Sequence, residues 1–222
     1  GAPGVAIQLA AFLGGMLAVG ITYSIANVVD RGSSHTLTLV LAGIVVQALF
    51  QAFVGCAKYL ADPYSQLPEI TFWLMGSLAK TSFDDIVPIL APLAVGLAVL
   101  LALRWRVNVL SLGDQEAKAL GVNLKLERGL IIALSTMLTA SAVSLAGTIG
   151  WIGLVMPHLA RFLVGPNVAR SMPVGFAMGS AFMIIVDTLA RFSGIEIPLS
   201  ILTGLIGTPF FVVLLQKQRG ML

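Results

Sequence analysis

Charge is scarce in this chain. Thirteen Lys and Arg with ten Asp and Glu make up 10% of 222 residues, too few to give a soluble domain of that size a polar surface. Cysteine is scarcer: Cys56 stands alone, which excludes an intrachain disulfide framework or cysteine metal site. The two histidines, His35 and His158, lie in different segments, so the paired spacing of a metal motif is missing. No GxxxxGK(S/T) stretch can cradle a nucleotide, no acidic cluster can hold Mg²⁺, and no nucleophile sits beside a base. No catalytic residue, cofactor or metal is therefore expected, and no nucleic-acid partner. If this chain does work, the energy comes from another chain.

What fills the chain is hydrocarbon. Hydrophobic residues account for 58% of it and the mean hydropathy is +0.98. Runs of roughly twenty apolar residues recur, each long enough to cross ~30 Å of bilayer core as a helix. Open sheets cannot cross, because their edge groups would go unpaired in lipid. The expected fold is all-α, a polytopic transmembrane bundle forming one domain over 1–222. Seven spans are expected, at about 5–28, 36–61, 84–104, 128–147, 150–164, 171–191 and 197–216. The chain starts at Gly1 with no basic leader, so the first apolar run reads as a helix of the mature protein and not as a signal peptide. The fifth span is short and contains Pro157, which removes a backbone donor, so it is expected to be tilted, broken or only partly crossing.

Loop charges set the orientation. With the C-terminus cytoplasmic, alternation puts Arg31, Arg104, Arg106, Lys118, Lys125, Arg128, Arg161, Arg170, Lys217 and Arg219 inside, ten of the thirteen cations. Lys58, Lys80 and Arg191 fall outside, with Asp62, Glu69, Asp84, Asp85 and Glu196. The outer segment 62–83 carries two prolines and an apolar centre, Ile70 to Leu78, too short to span. It reads either as a short re-entrant or interfacial helix or as an aromatic belt with Phe72 and Trp73 at headgroup level.

Polar residues inside spans are the informative ones. Gly43, Gln47, Gln51 and Gly55 recur every fourth residue and so share one helical stripe. That stripe is either a packing seam, with glycines allowing close approach and amides bonding across it, or one wall of a polar pathway. Asp187 is the one acid well inside a span, at a cost of about 2.5–3.5 kcal/mol unless partnered. Arg191 lies one turn on, which favours a local structural pair over ion coupling. A structural role is likewise favoured for His158 over a proton relay or metal ligand.

The charged stretch 109–123, VLSLGDQEAKALGVN, interrupts the grease on the inner side. Ser111 with Asp114 resembles a capping box, Asp114 and Lys118 are spaced as a helical ion pair, and Gly121 supplies a stop. A short helix over 112–120 is expected, offering Leu112, Ala117 and Leu120 among charges, which suits a docking knob.

Five landmarks together resemble one family, the FecCD-type permeases of ABC importers: FWLMGSL at 72–78, LSLGDQEAKALGVN at 110–123, AGTIGWIGLVMPHLARFLVG at 146–165, DTLAR at 187–191 and EIPLSILTGLIGTPFF at 196–211. The resemblance covers essentially the whole chain but begins near the fourth helix of a ten-helix pattern, so about three N-terminal helices of that pattern are expected to be absent. Trp151 stands where the family commonly has Phe, and EIP replaces ELP.

The resemblance implies a permease subunit carrying a ferric siderophore, haem, cobalamin or similar chelate across the bacterial or archaeal inner membrane. It implies a homodimer or pseudo-dimer around a central pathway, two cytoplasmic ATPase subunits, a binding protein outside, and no catalysis in this chain. By the same resemblance Gly43, Gln47, Gln51 and Gly55 line the pathway, and Trp73, Gly76 and Ser77 belong to a gate helix. Ser111, Leu112, Gly113, Asp114, Glu116, Ala117, Leu120 and Gly121, within 111–121, form the coupling helix that enters the ATPase. Arg191 and Glu196 face the binding protein, while Pro157, His158, Arg161 and Asp187 are structural. The alternative is an ion-coupled secondary carrier working through Asp187; an intramembrane enzyme using His158 and Asp187 lacks a nucleophile.

Overall fold

The computed structural model describes residues 2–29, 35–79, 81–192 and 197–219. Among these the chain is all-helical, without a strand: α1 (Ala2–Val29), α2 (His35–Leu60), α3 (Gln66–Met75), α4 (Phe83–Ala102), α5 (Arg104–Leu110), α6 (Asp114–Ala119), α7 (Leu124–Ala146), α8 (Ile152–Val164), α9 (Val168–Phe192) and α10 (Leu199–Arg219). Helices α1, α2, α4, α7 and α9 are long and apolar enough to cross a membrane. Leu13, Leu17, Val45, Leu90 and Ile184 stand exposed on them, an arrangement suited to lipid and costly in water.

Five of the seven expected spans meet that length and hydropathy among the described residues. The fifth, α8, has 13 residues and reaches only about 20 Å; it runs unbroken through Pro157. The seventh is α10, a helix of 21 residues. Segment 62–83 contains a short helix, α3, with Phe72 and Trp73 exposed on it. Asp62 organises the turn before it, accepting from the Ser65 hydroxyl at 2.6 Å and from the Ser65 and Tyr64 amides at 2.8 and 3.2 Å. The Ser65 hydroxyl foremost, with those amides, holds the Asp62 carboxyl below its ordinary pKa.

Helix α7 lies between α1 and α4, and α2 packs chiefly on α1. Small residues set these distances. A methyl added at Gly15 of α1 would come within 3.2 Å of Ala140 Cβ, and one at Gly96 of α4 within 2.8–2.9 Å of Met137 and Leu138. A second group joins α8, α9 and α10, where Val186, Ala190 and Leu199 form a buried core covered by Leu78, Ile149, Phe182, Met183 and Leu202. Trp151, which starts α8 in the left-handed region (φ 68°), lies against Gly207 and Gly204 of α10 and tilts toward Phe211.

Candidate functional site

The polar stripe of α2 stands next to its packing stripe. Ala42 and Val46 are buried and Phe50, Val54 and Lys58 half-buried, in steps of four. One residue further round, Gly43 is half-buried near Thr22 of α1, but Gln47, Gln51 and Gly55 are exposed. A packing seam within the chain thus explains Gly43 alone. Neither glutamine has a polar partner among the described residues.

The end of α3 is tied down from three sides. Its last carbonyls would be orphaned without donor partners. The Gly76 N–H donates to Trp73 O at 3.2 Å, the Thr148 hydroxyl to Leu74 O, the Ser200 hydroxyl to Met75 O at 2.5 Å, and the Leu199 N–H to Gly76 O at 2.9 Å. Ser77 returns a bond, its N–H reaching Ala146 O at 3.0 Å. Backbones approach so closely that a methyl at Gly76 would meet the Thr148 and Ala146 oxygens at 2.8 and 3.0 Å, and one at Gly147 would overlap the Trp73 oxygen. Trp73 itself is partly exposed. Of the three gate residues read from sequence, Gly76 and Ser77 sit in this junction, and the sequence reading missed Thr148 and Ser200.

Arg191 belongs to the same junction. Its Nε donates to Asp187 Oδ2 at 2.9 Å and its Nη2 to Leu78 O at 3.0 Å, while about half of the side chain stays exposed. Asp187 is thus held in the pair expected of it. Glu196 lies outside the described residues. His158 directs Nδ1 at Leu154 O, 2.6 Å away, and meets Phe211 edge-on, a local structural setting. Pro157 is half-buried within α8 and Arg161 exposed near its end.

At the opposite charged end, the helix over 112–120 is shorter than expected and starts differently. Ser111 closes α5, its hydroxyl donating to Asn108 O at 2.6 Å, and α6 begins after Gly113 (φ 121°) without a side-chain cap. The capping-box reading of Ser111 and Asp114 is corrected accordingly. The stop is as read: Gly121 (φ 77°) donates to Lys118 O and Val122 to Ala117 O, a Schellman motif. Ala117 is 0% exposed and packs inward, so it offers nothing to a partner. Leu112 and Leu120, at 57% and 62% exposed, point outward; Glu116 is exposed beside them.

Two ion pairs fasten this segment to the first turn of α7. Arg106 of α5 pairs with buried Glu127, and Arg128 forks onto Asp114 of α6, with Nη1 to Oδ2 at 3.1 Å and Nη2 to Oδ1. Sequence spacing had suggested only Asp114 with Lys118. Asn108 reaches from α5 to accept the Val168 N–H at 2.9 Å, helping Asn167 cap α9.

The FecCD transport family model matches residues 1–217. The molybdate import system permease protein MolB of Haemophilus influenzae is 45% identical over 186 residues, covering 83% of this chain and 55% of that protein. The cobalamin import system permease protein BtuC of Halobacterium salinarum is 38% identical over 215 residues, 97% of this chain and 57% of that one. The hemin transport system permease protein HmuU of Yersinia pestis is 35% identical, with 96% and 63% covered. The chain spans about half to two thirds of the length of these relatives. A solved structure, an inward-facing conformation of an ABC transporter assigned to the metal-chelate type, superposes with a TM-score of 0.82 at 38% identity, covering 95% of this chain and 74% of that one.

Proposed function

This chain belongs to the FecCD transport family, and on that premise we propose that it forms the later part of an ABC importer permease. Its cargo is a metal chelate or a comparably small metal-bearing anion, moved inward across the cytoplasmic membrane of a bacterium or archaeon. The C-terminus is cytoplasmic. Two copies, or this chain and a close homologue, face each other around a pathway. A separate ATPase seats on 111–121 from inside, and a binding protein delivers cargo at the outer face near Arg191.

The observation that carries the reading is the uncovered pair Gln47 and Gln51 on a membrane-length helix. An amide left in hydrocarbon without a partner costs roughly 2–7 kcal/mol, and two such groups one turn apart on a face that nothing in the chain covers need water or a second subunit. An ion-coupled carrier has less to rest on, because Asp187 is held by Arg191 and the relatives' names describe import permeases.

The test is thiol labelling in a Cys56→Ser background, with a partner ABC ATPase present. Gln51→Cys should react with a membrane-impermeant reagent to an extent that changes with nucleotide, while Val45→Cys, an exposed apolar position on the same helix, stays protected throughout. Equal protection at both positions in every nucleotide state defeats the reading.

A further inference from the structure

An open cleft of about 630 Å³ lies between the start of α5 and the junction of α8 with α9, lined by Arg104, Val164, Asn167, Arg170, Pro173 and Val174. It takes no part in the α2 stripe, the α3 junction or the α6 surface. Both arginines are exposed, and neither pairs with an acid among the described residues. The contrast with Arg106 and Arg128, each committed to a carboxylate, is direct: those two hold the fold, whereas Arg104 and Arg170 face a cleft. The first amides of α9 are already taken by Asn108 and Asn167, so charge for a ligand comes from the guanidinium groups, supported by the positive end of a 25-residue helix.

Depth says what the ligand is. The cleft opens where apolar α4 and α8 end and α9 begins, the level at which hydrocarbon gives way to headgroups. Trp105, 65% exposed, stands beside Arg104, and exposed Leu163 precedes Val164; an aromatic and an aliphatic side chain flanking paired cations is the composition of a membrane interface. The floor of Val164, Pro173 and Val174 accepts the glycerol and upper acyl carbons, and two planar forks match phosphate oxygens. We infer that this cleft binds the phosphate headgroup of an anionic phospholipid, clamping one lipid between α5 and the start of α9. The inference does not depend on the importer reading, since any chain seated at this depth presents the same cleft.

The test uses the purified full chain in neutral detergent, without ATPase, titrated with phosphatidylglycerol, phosphatidylcholine or inorganic phosphate and followed by native mass spectrometry and thermal shift. Phosphatidylglycerol should be retained and raise Tm, and phosphatidylcholine should do neither. Arg104→Ala or Arg170→Ala should each weaken phosphatidylglycerol binding about fivefold and the pair about 30-fold, with the lipid-free Tm unchanged. Arg104→Lys with Arg170→Lys, which keeps charge but not the fork, should bind phosphatidylglycerol several-fold more weakly than the unaltered chain but more tightly than the alanine pair, and it serves if the alanine pair does not fold. Indifference to the headgroup, or undiminished binding in the alanine pair, overturns the inference. Inorganic phosphate binding as tightly as the lipid would make this a soluble-anion site instead. A failed labelling experiment at Gln51 leaves all these outcomes untouched.

Discussion

The junction at the end of α3 can be probed with one methyl group. Gly147 has φ 70°, and a Cβ there would overlap the Trp73 oxygen and come within 3.0 Å of Gly76 Cα. Two costs are therefore combined in Gly147→Ala: placing an L side chain in the left-handed region, about 1–2 kcal/mol, and overpacking against backbone that cannot rotate away, about 1–3 kcal/mol. They separate experimentally, because Gly121 has φ 77° with nothing within 4 Å of an added Cβ, and Gly150 has open space with no positive φ. Gly150→Ala should be near neutral, Gly121→Ala should cost the backbone amount alone, and Gly147→Ala should cost about 2–5 kcal/mol in total, lowering Tm in detergent by roughly 10 °C. Limited proteolysis around 76–82 should also quicken in Gly147→Ala only, since the displaced strand of chain loses the Ser77 and Thr148 bonds. A Gly147→Ala protein no less stable than Gly121→Ala refutes the close approach of α3 to residues 146–148.

Two further substitutions address the proposed partners. Leu120→Ala removes three exposed carbons, worth about 2 kcal/mol if an ATPase buries them, or a roughly 30-fold loss in co-purification with unchanged Tm; the reverse pattern makes Leu120 part of the bundle. Arg191→Glu places two carboxylates one turn apart and frees the Leu78 carbonyl, so Tm should fall by an amount equivalent to about 1–3 kcal/mol; a docking role adds a loss of binding-protein affinity that shrinks at high salt, and unaltered affinity confines Arg191 to the junction.

What the sequence made legible follows from how few solutions lipid permits. A twenty-residue apolar run crosses as a helix, and a four-residue recurrence fixes a stripe, so α1, α2, α4, α7, α9 and the line through Gln47 and Gln51 were readable. The Asp187 and Arg191 pair was readable for the same local reason. Helix α5 was not, because nothing in RWRVNVL marks a boundary; the bend at Leu103 has no glycine or proline, and the helix is held by distant groups, Glu127 and the α9 amide that Asn108 meets. Ser111 misled because its hydroxyl can serve either the helix after it or the turn before it, and here it bonds back to Asn108 O. Ala117 looked like surface because its neighbours are charged, and faces inward because the Arg128 fork pulls α6 onto α7. Ties across 14, 21, 74 or 125 residues leave no periodic trace.

Helix α7 joins the two ends of the proposed machine. At its first turn, adjacent residues Glu127 and Arg128 hold α5 and α6 through pairs of opposite polarity. At its far end, 23 residues and about 34 Å away, Ala146 O, Gly147 and Thr148 hold α3. Helices α4, α8, α9 and α10 each contain proline, and α7 contains none, so the usual site of a sharp kink is missing from this helix, which is fastened at both ends. A helix of this kind changes length very little, since doing so stretches every bond of its ladder. If, as proposed, an ATPase displaces α6 together with α5, the displacement has two outlets: breaking the Glu127 and Arg128 pairs, or moving α7 bodily along the Gly15 and Gly96 contacts that seat it. Buried Glu127 closes the first, because separating it from Arg106 would leave an uncompensated carboxylate inside the bundle, which costs about 3–5 kcal/mol. The second would carry the motion to the end of α3, so on the proposed function the firmness of the pairs at one end would make the junction at the other responsive.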